Sequence, residues 1–381
     1  MTVSPRVSGA RIPLAQPNIG EREVELVTQV LRSDVLAMGP FTEQFEERLA
    51  ELTGRRHAVA CSSGTAGLHL AVRGLGIGAG DEVITTPFSF VASANCMLFE
   101  RAVPRFVDIE EETLGMDPDL VEAAATDRTR ALLPVHVYGN PCRIDELEAL
   151  ARARGWLLIE DSCEALGGRL NGRALGSFGD ASVFAFYPNK QITTGEGGTV
   201  LTDDPDLAER LRSMRNQGRD ADGTWMRHIR LGFNYRIDEL SAALGVAQLE
   251  RLAELRAGRE QAVASYADAF AGRSWVRLPR PSRGADVDWF VYVIRLDAQV
   301  DRDRLVVQLA ERGVPSRPYF SPIHLQPLYT AEFGHRPGDF PVTERVARSM
   351  LAIPFSSRMD REAVDQVVAA LDDAVEEQGR G

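Results

Sequence analysis

Lysine is almost missing from this 381-residue chain. Of its 43 lysine and arginine residues one is lysine, Lys190, which leaves 42 arginines. Any chemistry that needs a side-chain amine must therefore run at that position. Cysteine is scarce as well. The four residues Cys61, Cys96, Cys142 and Cys163 lie far apart with no C-x-x-C spacing, which excludes a disulfide framework and a zinc knuckle. Six histidines are scattered without an H-x-x-x-H pair, so no metal site is expected. Positive charge does not dominate: the net charge of -12 argues against nucleic acid or an anionic membrane as a partner. No apolar run is long enough to span a bilayer, and the start "MTVSPRVSGARIPLAQPN" lacks a signal-type core. The expectation is a cytoplasmic enzyme.

The lone lysine stands in "YPNKQITTGEGGT", between the apolar run "SVFAFY" and a glycine-rich turn. Arginine can replace lysine wherever only charge is needed, but it cannot lose its proton near neutral pH. A lysine amine can lose it, attack a carbonyl and form a Schiff base. A lysine that merely escaped a drift to arginine would be expected on a polar helix face. This one follows a strand-like segment and opens a tight turn, where imine chemistry is the better reading.

From about residue 55 short apolar runs alternate with helical stretches: "HAVACSS", "TAGLHLAVRGL", "DEVITTP", "FVASANCMLFE", "VPRFVDI", "ALLPVHVYG", "IDELEALARARG" and "WLLIED". That order predicts an α/β domain with a mainly parallel sheet. "ASVFAFY" and "GTVLTDD" add strands on either side of the lysine turn. After residue 257 the pattern changes to a helix, a Pro/Arg-rich link, the strand "WFVYVIRL" and three further helices. Two domains are expected: residues 1–257, a large α/β domain, and residues 258–381, a smaller α+β domain. "GLGIGAGDE" imitates a dinucleotide loop, but it follows a helix and precedes a strand, the reverse of what that motif requires.

In an open parallel sheet, ligands bind beyond the carboxyl ends of the strands. "SSGTAGL" puts Ser63, Gly64 and Thr65 between a strand and a helix, which suits a phosphate or an ordinary N-cap. "WLLIEDSCEALGG" ends a strand in Glu160 and Asp161. A carboxylate there could hold a heteroaromatic nitrogen protonated, or simply cap the next segment. "TPFSFVASAN" offers Phe88 and Phe90 as a cover for a flat ring or as core. With an imine-forming lysine, these make up the set of groups that pyridoxal phosphate needs.

The chain resembles the DegT/StrS-type pyridoxal-phosphate-dependent sugar aminotransferases. The likeness runs over nearly its whole length, from "GPFTEQFEERLAELTG" through "SSGTAGLHLAV", "DEVITTPFSFVASAN", "PVHVYGNPCRIDEL", "LIEDSCEALGG" and "FAFYPNKQITTGEGG" to "LGFNYRIDELSAALG" and "RPYFSPIHLQPLY". The resemblance implies the aspartate-aminotransferase-like fold, pyridoxal-phosphate fold type I. It implies Lys190 as the Schiff-base lysine, Asp161 as partner of the ring nitrogen, Phe90 as the stacking ring, and Gly64 and Thr65 on the phosphate. Glu164 falls where relatives carry a polar residue, often glutamine or histidine, near the ring hydroxyl. Asn234 would reach the phosphate of a neighbouring subunit, implying a homodimer with shared active sites. One departure is visible: relatives often have serine five residues before the lysine, where this chain has Ala185. Asn189, Thr193 or Thr194 would compensate, or the phosphate would have one bond fewer.

The implied reaction moves an amino group from glutamate to a nucleotide-linked keto-deoxysugar, with C4 favoured by the "TTGEGG" form. Lys190 serves as both anchor and acid/base. A keto-cyclitol acceptor and a non-catalytic, cofactor-binding regulator are the alternatives. The loop "GRDADGTWMRHIR", with Arg227, His228 and Arg230, would either meet a diphosphate or carry solvated charges.

Overall fold

The computed structural model describes residues 12–220 and 226–379. Nine strands occupy the first part: β1 His57–Cys61, β2 Glu82–Thr85, β3 Val103–Phe106, β4 Thr129–Leu133, β5 Leu157–Asp161, β6 Arg169–Leu170, β7 Arg173–Ala174, β8 Ala181–Ala185 and β9 Gly198–Thr202. Four follow: β10 Val276–Arg277, β11 Ala285–Asp286, β12 Tyr292–Leu296 and β13 Met350–Ile353. Seven of them form one sheet in the order β1-β9-β8-β5-β4-β2-β3. Only β9 runs against the others, pairing antiparallel with both β1 and β8, while β8, β5, β4, β2 and β3 are mutually parallel. The fold is the α/β architecture with a mainly parallel sheet that the alternation of strands and helices predicts.

Helices cover both faces of this sheet, which explains why its strands read as continuous apolar runs without alternation. Val59, Val83, Ala131, Ile159, Val183 and Val200 are buried together on one face. Ala58, Ala60, Phe184 and Leu201 are buried on the other. The segment "FNYRIDE" has a structural duty here. Glu239 accepts the amides of Gly39, Phe41 and Thr42 at 2.8–2.9 Å. It thereby satisfies the open amides at the start of the helix Pro40–Thr53, where a carboxylate also suits the helix dipole.

The helix Leu252–Ala269 passes from one core to another: Leu255 packs in the first, Ala262 and Tyr266 in the second. That second core backs the three-stranded sheet β10-β12-β13. On this change of partner we propose the domain division near residue 257. Strand β13 was not legible as a strand. Its four residues follow the helix Pro341–Ser349 directly, and pairing with β12 decides their conformation.

Candidate active site

The carboxyl ends of β1, β2, β4, β5 and β8 open on one cavity of about 510 Å³, lined among others by Ser63, Gly64, Thr65, Phe90, Asp161, Glu164, Ala185, Asn189, Lys190 and Tyr319. At one end the helix Gly64–Gly74 begins. The Ser63 hydroxyl accepts the amide of Ala66 at 3.1 Å. The amides of Gly64 and Thr65 come before any carbonyl their own helix could offer, so they remain to bind an anion. Glycine is required here: a Cβ on Gly64 would lie 2.5 Å from the Cβ of Ala185. The helix start and the end of β8 are therefore in near contact, and Ala185 sits directly beside the anion-binding turn.

Asp161 ends β5, buried and held from two sides. The Ser93 hydroxyl donates to Oδ2 at 2.7 Å, and the Cys163 amide donates to Oδ1 at 3.1 Å. Ser93 is itself 2.7 Å from Ser89, four residues earlier. Glu160 points to the opposite face, as strand alternation requires. It accepts from His136 at 2.9 Å, Ser162 at 2.9 Å, Gly176 at 2.6 Å and Phe178 at 2.8 Å. Burial opposes a charge on His136, but Cys142 and Glu160 outweigh it and push the imidazole up to about 10. Of the two adjacent carboxylates, Asp161 faces the cavity and Glu160 braces the loop behind it.

Lys190 lies in the turn between β8 and β9, its amide donating to the Tyr187 carbonyl at 2.9 Å. Its Nζ is 3.5 Å from Glu164 Oε1 and 4.0 Å from the centroid of the Phe290 ring. Distant residues hold the backbone on which it rides. Arg259 donates to the carbonyls of Lys190 and Gln191 at 3.0 and 2.6 Å. The Gln191 amide donates to the carbonyls of Glu164 and Asp288 at 2.5 and 2.9 Å. Glu164 accepts the Tyr138 amide at 2.8 Å, and burial raises its carboxyl above the ordinary range. Burial also pushes Asp288 up to about 7, against the pull of Arg259.

The cavity thus gathers Gly64, Thr65, Phe90, Asp161, Glu164 and Lys190. Phe90 is 60% exposed at its mouth, whereas Phe88 is fully buried in the core. Asn234 is not among the lining residues; it is exposed and bridges Asn216. Of the three residues that could stand in for a hydroxyl at Ala185, Asn189 lines the cavity, with a buried Oδ1 that has no protein partner. Thr193 and Thr194 donate instead to the carbonyls of Phe186 and Glu196, at 3.1 and 2.7 Å. In the Gly218–Arg230 loop, residues 221–225 lie outside the described residues. Arg227 pairs with Asp220 at 3.2 Å and His228 with the Gln217 carbonyl at 2.8 Å. Among the described residues no cluster of His, Cys, Asp and Glu is arranged to hold a metal ion, and no helix is long and apolar enough to cross a membrane.

Sequence reasoning missed Ser93, Tyr319, Phe290, Arg259 and Asp288. Ser93 had a signal, because Ser89 and Ser93 share one face at i, i+4 of a segment already suspected. The others come from beyond residue 257 and carry no local mark.

Comparison with known proteins adds a second line. Residues 17–372 match the model of the DegT/DnrJ/EryC1/StrS aminotransferase family. GDP-perosamine synthase of Caulobacter vibrioides is 38% identical over 368 residues, covering 95% of this chain and 98% of that protein. DesV of S. venezuelae, solved in complex with a ketimine intermediate, superimposes with a TM-score of 0.88 at 36% identity, covering 93% of this chain and 95% of that one. DesI, solved in the presence of its TDP-sugar product, gives 0.89 at 32% identity, covering 98% and 95%.

Proposed function

The chain belongs to the DegT/DnrJ/EryC1/StrS aminotransferase family, and from that premise we propose that it transfers an amino group from glutamate to C4 of a nucleotide-linked keto-deoxysugar. It is a sugar aminotransferase and uses pyridoxal phosphate. GDP-perosamine synthase and DesI, whose product is a TDP-sugar, support a nucleotide-linked acceptor. They differ in nucleotide, so the carrier is left to experiment.

The residues fit this cofactor. The amides of Gly64 and Thr65 and the helix dipole suit its phosphate, and the absence of a Cβ on Gly64 lets the helix start pack against Ala185. Asp161, kept in place by Ser93 and Cys163, would face the ring nitrogen. Phe90 would cover the ring, and Glu164 would lie toward its hydroxyl side next to Lys190. Bound pyridoxal phosphate supplies an electron sink that makes the α-proton of an amine donor removable. Asp161 sustains that sink by holding a proton on the ring nitrogen. Lys190 Nζ then takes the proton from the donor α-carbon, for which its amine must be neutral.

Asn234, exposed and not among the residues that line this chain's own cavity, is assigned to the phosphate of a second copy in a cytoplasmic homodimer.

The single observation that carries the reading is that the only lysine opens into the same cavity as Asp161 and the Gly64 turn. The test is incubation of the holoenzyme with glutamate and a panel of nucleotide-linked 3-keto and 4-keto sugars and keto-cyclitols, with product mass and NMR. A 4-amino sugar is expected. A 3-amino sugar or an aminocyclitol would overturn the acceptor assignment.

A further inference from the structure

Glu164 and Asp161 lie three residues apart in one cavity, but their bonding differs. Both oxygens of Asp161 are met by neutral donors, Ser93 at 2.7 Å and the Cys163 amide at 3.1 Å. Glu164 has one neutral donor, the Tyr138 amide on Oε2 at 2.8 Å; the partner of its other oxygen is the Lys190 ammonium at 3.5 Å. Glu164 is only 5% exposed. A carboxylate buried to that degree needs a cation or a proton. Its charged neighbour must give up its charge each time it acts, since only the neutral amine attacks a carbonyl or takes a proton. If Glu164 stayed ionised at that moment, a buried anion would stand uncompensated beside the anion of Asp161.

We propose that Glu164 is a second acid–base residue of the reaction, exchanging one proton with Lys190 Nζ so that the pair changes form without changing net charge. The exchange balances. The N–H bond of the ammonium breaks, its electron pair stays on nitrogen, and an O–H bond forms on Oε1; ammonium and carboxylate become amine and carboxylic acid. The reverse step returns the proton.

The groups facing Glu164 leave no other acceptor of that kind. Tyr138 and Tyr319 are phenols whose burial raises them well above the neutral range, and the Cys163 thiol is raised likewise. All three stay protonated, so Lys190 and Asp161 are the charges that bear on Glu164. Burial raises the Glu164 carboxyl, the direction a proton store requires. The 3.5 Å separation is at the outer edge of hydrogen-bond range, a common state for such contacts before substrate tightens them.

This inference rests on Lys190 being the reacting amine, and its test separates the two. With a single lysine, reductive ¹³C-methylation of the full-length chain freed of cofactor labels Lys190 and the α-amino group alone, and NMR follows each against pH. Two steps are expected in the Lys190 signal, the lower one above the ordinary carboxylate range. Glu164→Gln should lose the lower step, and Glu164→Asp should keep it at a displaced pH. Should Glu164→Gln fold poorly, as near-ultraviolet circular dichroism would show, the wild-type and Glu164→Asp titrations decide alone. In the loaded enzyme Glu164→Gln should lose one limb of the pH profile of kcat. A purely structural role would lower kcat with the profile unchanged. One step in the wild type, or a lower step that survives Glu164→Gln, overturns the proposal. Borohydride labelling that misses Lys190 in the loaded wild type would instead overturn the reading on which it rests.

Discussion

The two sides of the cavity are built in different ways. Asp161 belongs to the sheet: β5 is hydrogen-bonded to β4 and β8, and the carboxylate is fixed by Ser93 and by an amide two residues along the chain. Lys190 sits in a turn whose backbone is tied by Arg259, 69 residues away, and through Gln191 to Asp288, 97 residues away. Among the described residues its Nζ meets the Glu164 carboxylate at 3.5 Å and the face of Phe290. The difference follows from the work each group would do. An anion that stabilises a charge is most effective when it does not move, and a strand end with two donors achieves that. An amine that exchanges bonds must move, so the fold clamps its backbone and leaves the side-chain end loosely held.

That contrast can be broken most severely at the mobile side. Lys190→Arg keeps the charge and the contact to Glu164 but removes the only deprotonatable side-chain amine, and turnover should fall by about 10⁴-fold or more. Borohydride reduction of the wild-type holoenzyme should place the label on Lys190 by peptide mapping, with the α-amino group as the only competing primary amine. Near-normal turnover in Lys190→Arg would remove the amine from the chemistry.

On the fixed side, Asp161→Asn keeps the shape and loses the charge. Its kcat should fall by about 10²–10³-fold while cofactor binding survives. Steady-state rates together with cofactor absorbance check both halves of that statement. Wild-type kcat in this variant would mean that the rigid carboxylate serves only structure.

A smaller effect is expected at the clamp. Asp288 is raised by burial to about 7, so between the ordinary carboxylate range and that value the folded chain holds a proton the unfolded chain has released. Its contribution to stability is full at low pH and is lost as pH rises through about 7. The melting temperature of Asp288→Asn should therefore fall less than that of the wild type between pH 5 and 8. Parallel melting curves would show that this carboxyl does not titrate as its surroundings dictate.

The smallest change is Ser93→Ala, which deletes one of the two donors to Asp161. It should cost about 1 kcal/mol in thermal stability and lower kcat a few-fold. A loss as large as that of Asp161→Asn would show that the fixed side depends on Ser93 more than on the strand.

Much of the fixed side was legible because its signals are local. A strand that ends in "IED" and a strand-to-helix step through "SSGT" each place a functional group within a few residues of the element that holds it. Choosing between Glu160 and Asp161 needed more, since alternation says that they face opposite ways but not which faces the ligand. Phe88 and Phe90 posed the same question, and the rings of Tyr138 and Phe320, which pack on Phe88, answered it. The turn that binds Glu239 to the helix Pro40–Thr53 was visible as a motif, but its capping role was not.

By itself the sequence determined the alternation of strands and helices, hence the parallel sheet, and with it the edge where ligands gather. It also determined that amine chemistry has only Lys190 to use. Tertiary structure alone decided what surrounds that amine. In the folded chain Tyr319 lines the cavity, Phe290 meets the amine, and Arg259 and Asp288 hold the backbone beside it, and contacts across such separations leave no period or spacing in the sequence. The charge state of Glu164 belongs to the same class, because burial and the distance to Lys190 set it, and neither exists until the chain is folded.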